Sequence, residues 1–155
     1  MRDLASLDQQ LCFALYSASR AFTRAYAPLL EPLGLTYLQY VVMLVLWERD
    51  DLSVKALGER LSLDSGTLTP LLKRLESAGF VERARSREDE RVVRIKLTRA
   101  GRALEPAARA VPIELLRRAG YPQNAATRER LKTLRAELED LTERLERSLA
   151  EPSSD

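Results

Sequence analysis

The chain of 155 residues contains no histidine. That absence removes imidazole bases, Ser-His and Cys-His dyads and histidine metal ligands from the chemistry of one subunit. A single cysteine, Cys12, excludes an intrachain disulfide and any zinc cage built of thiolates. Long apolar runs are also missing. The longest, Tyr40 to Trp47, falls far short of the roughly 20 residues that cross a bilayer, and the N-terminus lacks the basic-then-apolar pattern of a signal peptide. The expectation is a soluble cytosolic protein with no membrane partner, no metal and no cofactor. With 45% hydrophobic and 31% charged residues, the length suits one compact domain, or a small domain with dimerising extensions, rather than a multidomain enzyme.

The net charge of +2 conceals an uneven distribution. Arg83, Arg85, Arg87, Arg91, Arg94, Lys96, Arg99 and Arg102 crowd one short segment against Glu88, Asp89 and Glu90, a local +5. Concentrated arginine suits a polyanion; the alternative is a solvated loop. Residues 128–151 mix charges of both signs and are nearly neutral.

Periodicity supplies the elements. Ser6 followed by Gln9 is a capping-box pattern, and Leu11, Leu15, Ala18 and Phe22 recur at helical spacing, predicting a first helix over about 7–27 with Pro28 and Pro32 bracketing its exit. Tyr37 to Arg49 reads as a second helix, apolar on all sides and therefore buried. Ser53 caps a short helix from Val54 to about Leu61, and Asp64 caps another from Ser65 to Ala78, stopped by Gly79. Two capped helices across a tight turn suggest a helix-turn-helix.

After Gly79 the period changes. Residues 80–83 and 92–97 read as two strands around a charged tip. Thr98 caps the next helix, which Pro106 and Pro112 kink or divide near residue 112. A loop at 120–124 follows, and then Leu131, Leu134, Leu138, Leu141 and Leu145 form a narrow a/d seam that requires a partner helix. The Pro152–Asp155 tail looks frayed.

The fold class expected is mainly α with a small β-hairpin (α+β): a winged helix-turn-helix flanked by N- and C-terminal dimerisation helices. Its regions are an N-terminal sensor and dimerisation helix (1–35), the DNA-binding winged helix (36–104) and C-terminal dimerisation helices (105–155). A winged helix places its second helix in the major groove and its wing on backbone or minor groove. On the second helix Ser65, Thr67, Thr69, Lys73 and Arg74 take early and outer positions, while Leu68, Leu71, Leu72 and Leu75 face the core. The alternative is that Asp64, Ser65 and Thr67 merely cap and solubilise the helix; the Arg-rich hairpin downstream favours DNA binding. Pro70 removes a helical N–H, and no physical purpose for it is legible in the sequence. Arg91 lies just past the hairpin turn, where arginine reaches a narrow minor groove, and Asp89 is placed to aim it. Arg83, Arg85 and Arg87 suit phosphate or plain solvent. One module reads few base pairs, so a two-fold dimer on a palindrome of double-stranded DNA is expected.

Asp89-Glu90-Arg91 in the wing, with Leu97-Thr98 and Gly101 closing it, resembles the MarR superfamily of bacterial regulators, nearly along the whole chain. Leu11-Cys12-Phe13-Ala14-Leu15-Tyr16, Trp47-Glu48 and Leu63-Asp64-Ser65-Gly66-Thr67-Leu68-Thr69-Pro70 are similar to its OhrR branch, repressors that sense organic hydroperoxides. The resemblance places the DSGTLTP segment in the recognition helix. It also implies that Cys12 is the sensor, held by Tyr16 of its own subunit and Tyr26 from across the dimer, and that the regulated gene encodes a peroxidase for the same hydroperoxides. Residue chemistry agrees in part: Cys12 and Tyr16 share a helix face at i and i+4, and a phenol donating to a thiolate favours the ionised, peroxide-reactive form. Taken alone, a single cysteine more often packs as a small hydrophobe, and the tyrosines as core aromatics.

With no resolving cysteine the chain looks like the one-cysteine form. Its sulfenate then forms a mixed disulfide with a low-molecular-weight thiol, cyclises onto backbone nitrogen, or oxidises further. The function implied is a homodimeric repressor released from its operator when organic hydroperoxide oxidises Cys12. Its rivals are a MarR-type repressor released by a small aromatic ligand, a thiol peroxidase, and a purely structural dimerisation module.

Overall fold

A computed structural model describes residues 6–86 and 89–150. Arg87 and Glu88 of the expected hairpin tip, and the Pro152–Asp155 tail, lie outside the described residues. The chain divides into two compact units, Met1–Leu115 and Leu116–Asp155.

The first unit opens with a 3-10 turn, Leu7–Gln9, and then helix α1, Leu11–Leu30. This corrects the expected 7–27 helix at both ends. Gln10 is extended and separates the two pieces, Ser6 makes no side-chain cap, and Pro28 lies inside α1 rather than at its exit. Pro28 is exposed near the helix end, where water can satisfy the carbonyl left without its N–H partner. Helix α2, Tyr37–Glu48, starts at a capping box that sequence reading missed: the Thr36 N–H donates to Gln39 Oε1 at 2.8 Å, and the Gln39 N–H donates to Thr36 Oγ1 at 3.4 Å. Tyr40, Val42, Met43, Val45 and Leu46 bury α2 as its all-round apolarity requires.

A two-residue strand β1, Leu52–Ser53, precedes α3, Val54–Leu61; α4 follows, Ser65–Ser77. Ser53 Oγ accepts from the Ala56 N–H at 3.1 Å, so the expected cap of α3 is present. Strands β2, Val81–Arg85, and β3, Val93–Leu97, pair antiparallel from Val81 opposite Leu97 to Arg85 opposite Val93. β1 adds to the other edge of β3, giving the order β1-β3-β2. The two-strand expectation is thus short by one strand; two residues carry no period for a sequence to display.

Thr98 caps α5, Arg99–Ala103, by accepting the Gly101 N–H at 3.0 Å. The helical run then breaks at Leu104, not near residue 112, and resumes as α6, Glu105–Arg118, with Pro112 inside it. Pro106 falls in the first turn of α6, where its missing N–H would have no helical partner. Gly101 is buried, and a Cβ there would stand 2.0 Å from the Phe80 carbonyl oxygen, so only glycine lets α5 lie against the root of the wing. Trp47 Nε1–H donates to the Gly101 carbonyl at 3.0 Å, tying α2 to the same point.

In the second unit, Asn124 Oδ1 caps α7, Ala125–Ala150, by accepting the Thr127 N–H at 2.9 Å. No residue of α7 is buried. Leu131 and Leu141 are half-buried, and Leu134, Leu138 and Leu145 are exposed along the seam.

Candidate nucleic-acid interface and sensor helix

Helix α4 turns Leu68, Leu71, Leu72 and Leu75 into the core, which leaves Ser65, Lys73 and Arg74 exposed and Thr69 half-buried. Asp64 and Thr67 are engaged with each other. Asp64 Oδ1 accepts the Thr67 N–H at 2.9 Å, and Oδ2 accepts the Thr67 hydroxyl at 2.9 Å. The backbone bond from Thr67, and then the hydroxyl bond, hold the Asp64 carboxyl below the usual carboxylate range. The exposed cations of α4, Lys73 and Arg74, lie beyond this first turn.

The wing tip is set by Asp89. Its carboxylate accepts the Arg91 N–H at 3.0 Å and stands 4.0 Å from the guanidinium, whose side chain is 95% exposed. Asp89 thus fixes the backbone of Arg91 while the cation projects into solvent. Arg83 pairs with Glu76 of α4 at 3.8 Å. Together Ser53, Lys55, Thr69, Arg83 and Arg91 line a cleft of about 420 Å³ between α3, α4 and the wing.

The basic segment is not one free cationic surface. Arg94 and Lys96 reach Asp51, at 2.7 and 3.5 Å, and Arg102 reaches Asp50 at 2.6 Å. Asp50 Oδ1 also accepts the N–H groups of Leu97 and Asp51. The hydrogen bond from Arg94 is the main reason the Asp51 carboxyl lies below its usual range. Three of the eight clustered cations therefore lock the α2–β1 corner to β3 and α5. The adjacent Asp50-Asp51 pair was a visible signal, but its partners lie more than forty residues along the chain.

Cys12 sits exposed in the first turn of α1, its thiol donating to Gln10 Oε1 at 3.8 Å. Tyr16 shares that face, yet its hydroxyl accepts from Arg20 Nη1 at 2.8 Å, with the guanidinium 5.5 Å from the ring centroid. Among the described residues no hydrogen bond joins Cys12 to Tyr16. Tyr26 lies fourteen residues beyond Cys12 on the same continuous helix, an axial separation of about 21 Å. Within one chain Tyr26 cannot reach the thiol. It stacks instead among Phe22, Tyr37 and Tyr40, with ring centroids 6.3, 5.1 and 5.7 Å away. Burial, and then Tyr37, raise its pKa. Tyr40 is 2% exposed, and burial pushes its pKa up to about 12. Sequence reading passed over Tyr37 and Tyr40, although their spacing of three marks one helix face. Leu7, Leu11, Tyr16 and Phe22 are exposed, with Leu11 and Phe22 on one face of α1 and Tyr16 on another.

Comparison with known proteins adds to this geometry. Residues 24–105 match the family of transcriptional regulators SarA/Rot. The HTH-type transcriptional regulator TtmR of Methylorubrum extorquens is 64% identical over 103 residues, 66% of this chain and 53% of that protein. The chain thus spans about half the length of TtmR. The organic hydroperoxide resistance transcriptional regulator of Bacillus subtilis is 48% identical over 143 residues, covering 92% of this chain and 94% of that one. AbfR of Staphylococcus epidermidis, solved reduced and bound to DNA, superposes with a TM-score of 0.79 at 36% identity, over 94% of this chain and 99% of that one. The same protein has been solved overoxidised on DNA and in a disulfide form. With nearly half its residues shared along almost the whole of a regulator of like length, the chain belongs to the SarA/Rot group of MarR-type winged-helix transcriptional regulators, on the branch of the organic hydroperoxide resistance regulators.

Proposed function

We propose that the chain is a homodimeric repressor that binds a palindromic operator while Cys12 is reduced and leaves it when an organic hydroperoxide oxidises that cysteine. The observation that supports the redox part is the placement of Cys12: an exposed thiol at the head of α1, whose own Tyr26 lies about 21 Å away and cannot reach it, which leaves that role to the Tyr26 of another copy on this reading. On this reading residues 1–35 sense and dimerise, 36–104 bind DNA and 105–155 complete the dimer through the α7 seam. Ser65, Thr69, Lys73 and Arg74 face the major groove, Arg83 meets phosphate, and Arg91, backed by Asp89, enters the minor groove. Asp64 and Thr67 shape the first turn of the reading helix.

The chemistry balances without a cofactor. The Cys12 thiolate attacks the peroxide, the O–O bond breaks, sulfur takes one oxygen and the alcohol leaves. A low-molecular-weight thiol then displaces water from the sulfenic acid and forms a mixed disulfide. On this reading Tyr16, turned away from Arg20, and Tyr26 of the other copy hold the thiolate in the reduced dimer; oxidation breaks those bonds, shifts α1 and changes the separation of the two α4 helices, which then no longer match half-sites one helical turn apart. One equivalent per subunit is a signal, not turnover, so the protein acts as a cytoplasmic regulator rather than a peroxidase.

The test is fluorescence anisotropy on DNA from the protein's own upstream promoter, before and after one equivalent of organic hydroperoxide with a small thiol present. Tight binding lost on oxidation and restored by reductant is expected, and Cys12→Ser should bind yet ignore the peroxide. Normal release of Cys12→Ser would sink the redox mechanism. A second reading rests on the cleft lined by Lys55, Arg83 and Arg91: a small aromatic ligand bound there would release the protein with Cys12 unmodified.

A further inference from the structure

The outward line of α4 is opposite in character to what surrounds it. At about 100° per residue, the line facing away from Leu68, Leu71, Leu72 and Leu75 runs through Gly66, Pro70, Lys73 and Ser77, and all four are exposed. Gly66 has no side chain, and a Cβ there would stand 2.9 Å from Asp64 Oδ1, against the carboxylate that caps the helix. The Ser77 hydroxyl is turned back to the Lys73 carbonyl at 2.9 Å. Lys73 is a long cation that extends past the helix surface. The middle of the line is therefore the pyrrolidine ring of Pro70, which has neither a donor nor an acceptor in its side chain and no N–H in its backbone. Proline is the most unfavourable residue for a helix interior, and here it is exposed, so packing does not account for it. The helix is capped, continuous and well buried around it, with Lys73 and Arg74 supplying the cations that hold a polyanion against this face.

We infer that Pro70 reads a thymine: its ring packs on the 5-methyl group of one thymine in each half-site. On the base edges of the major groove the thymine 5-methyl is the group that projects as an apolar surface, and an apolar side chain without polar atoms matches it. The bare Gly66 one turn earlier lets the helix approach closely enough for the short ring to touch it. This inference rests on the proposed DNA-binding function and names a base contact within it.

The experiment replaces thymine by deoxyuridine, which lacks only the methyl, one position at a time in the footprinted promoter duplex, and measures binding of the reduced full chain. One thymine per half-site should stand out, its replacement costing about fourfold in affinity, and replacement in both half-sites roughly fifteenfold. In Pro70→Ser that position should bind thymine and deoxyuridine alike, while the chain keeps its affinity for DNA within the same range as the doubly substituted duplex. Equal binding of all deoxyuridine duplexes by the native chain, or an unchanged deoxyuridine penalty in Pro70→Ser, overturns the assignment to Pro70. Failure of the reduced chain to bind any promoter DNA overturns the function itself, a result distinct from either of those.

Discussion

Asp51 shows how much one residue does in the wing. It adopts a left-handed backbone, φ 57°, which costs most residues but is open to Asp and Asn, and from that corner it holds Arg94 and Lys96 of β3. Its folded pKa lies below the ordinary 3.8. A carboxyl depressed on folding contributes stability that is present above the unfolded pKa and is lost as pH falls through the folded value. Asp51→Asn keeps the backbone conformation and removes the charge, so acid unfolding of this variant should be less steep below about pH 4, with stability lowered at neutral pH. Chemical denaturation at pH 7 and at pH 3 checks both ends; an unchanged pH dependence would remove Asp51 from this role.

At the scale of elements, the same four-residue pattern occurs twice with opposite results. Ser6 and Gln9 form no box, whereas Thr36 and Gln39 do. The difference lies in what surrounds the pattern. Leu35 and Tyr40, on either side of the Thr36 box, are both buried in the core and occupy the positions of a hydrophobic staple, while the Ser6 turn is exposed throughout. Thr36→Ala should cost about 1 kcal/mol, readable as a lower midpoint in urea, whereas Ser6→Ala should change nothing measurable. The helix-turn-helix and wing were legible because Ser53, Asp64, Gly79 and Thr98 mark their borders locally. Strand β1 and the break at Leu104 were not. The first gains its pairing from β3, forty residues away, and the second turns on which of two prolines falls in a first turn.

Over the whole molecule, the sum of the charge is legible in the sequence and its distribution over the surface is not. The arginines of residues 83–102 are clustered in sequence, but Asp50 and Asp51 arrive from another part of the fold to engage Arg94, Lys96 and Arg102. The cations proposed to meet DNA are Lys73 and Arg74 of α4, Arg83 of β2 and Arg91 at the wing tip, and the salt dependence of DNA binding should reflect this smaller number. Of the proposed sensor, the sequence shows the cysteine and both tyrosines, but nothing in it orients the Tyr16 hydroxyl toward Arg20 or places a residue against Cys12 from outside the chain. The exposed leucines of α7 and the exposed Leu11 and Phe22 of α1 are the apolar surfaces that the proposed second copy would cover.

The single rigid span of α1 between Cys12 and Tyr26 has a genetic consequence. If each thiol is served by the other copy's Tyr26, two damaged alleles can repair one another. Cells expressing Cys12→Ser together with Tyr26→Phe would assemble mixed dimers that retain one complete sensor. A doubly substituted allele expressed with the native one would assemble mixed dimers that retain none. Native homodimers keep the cis strain responsive whichever chain Tyr26 serves, whereas the trans strain responds only if Tyr26 serves the other copy, so a hydroperoxide-responsive reporter in the trans strain measures which chain each tyrosine serves.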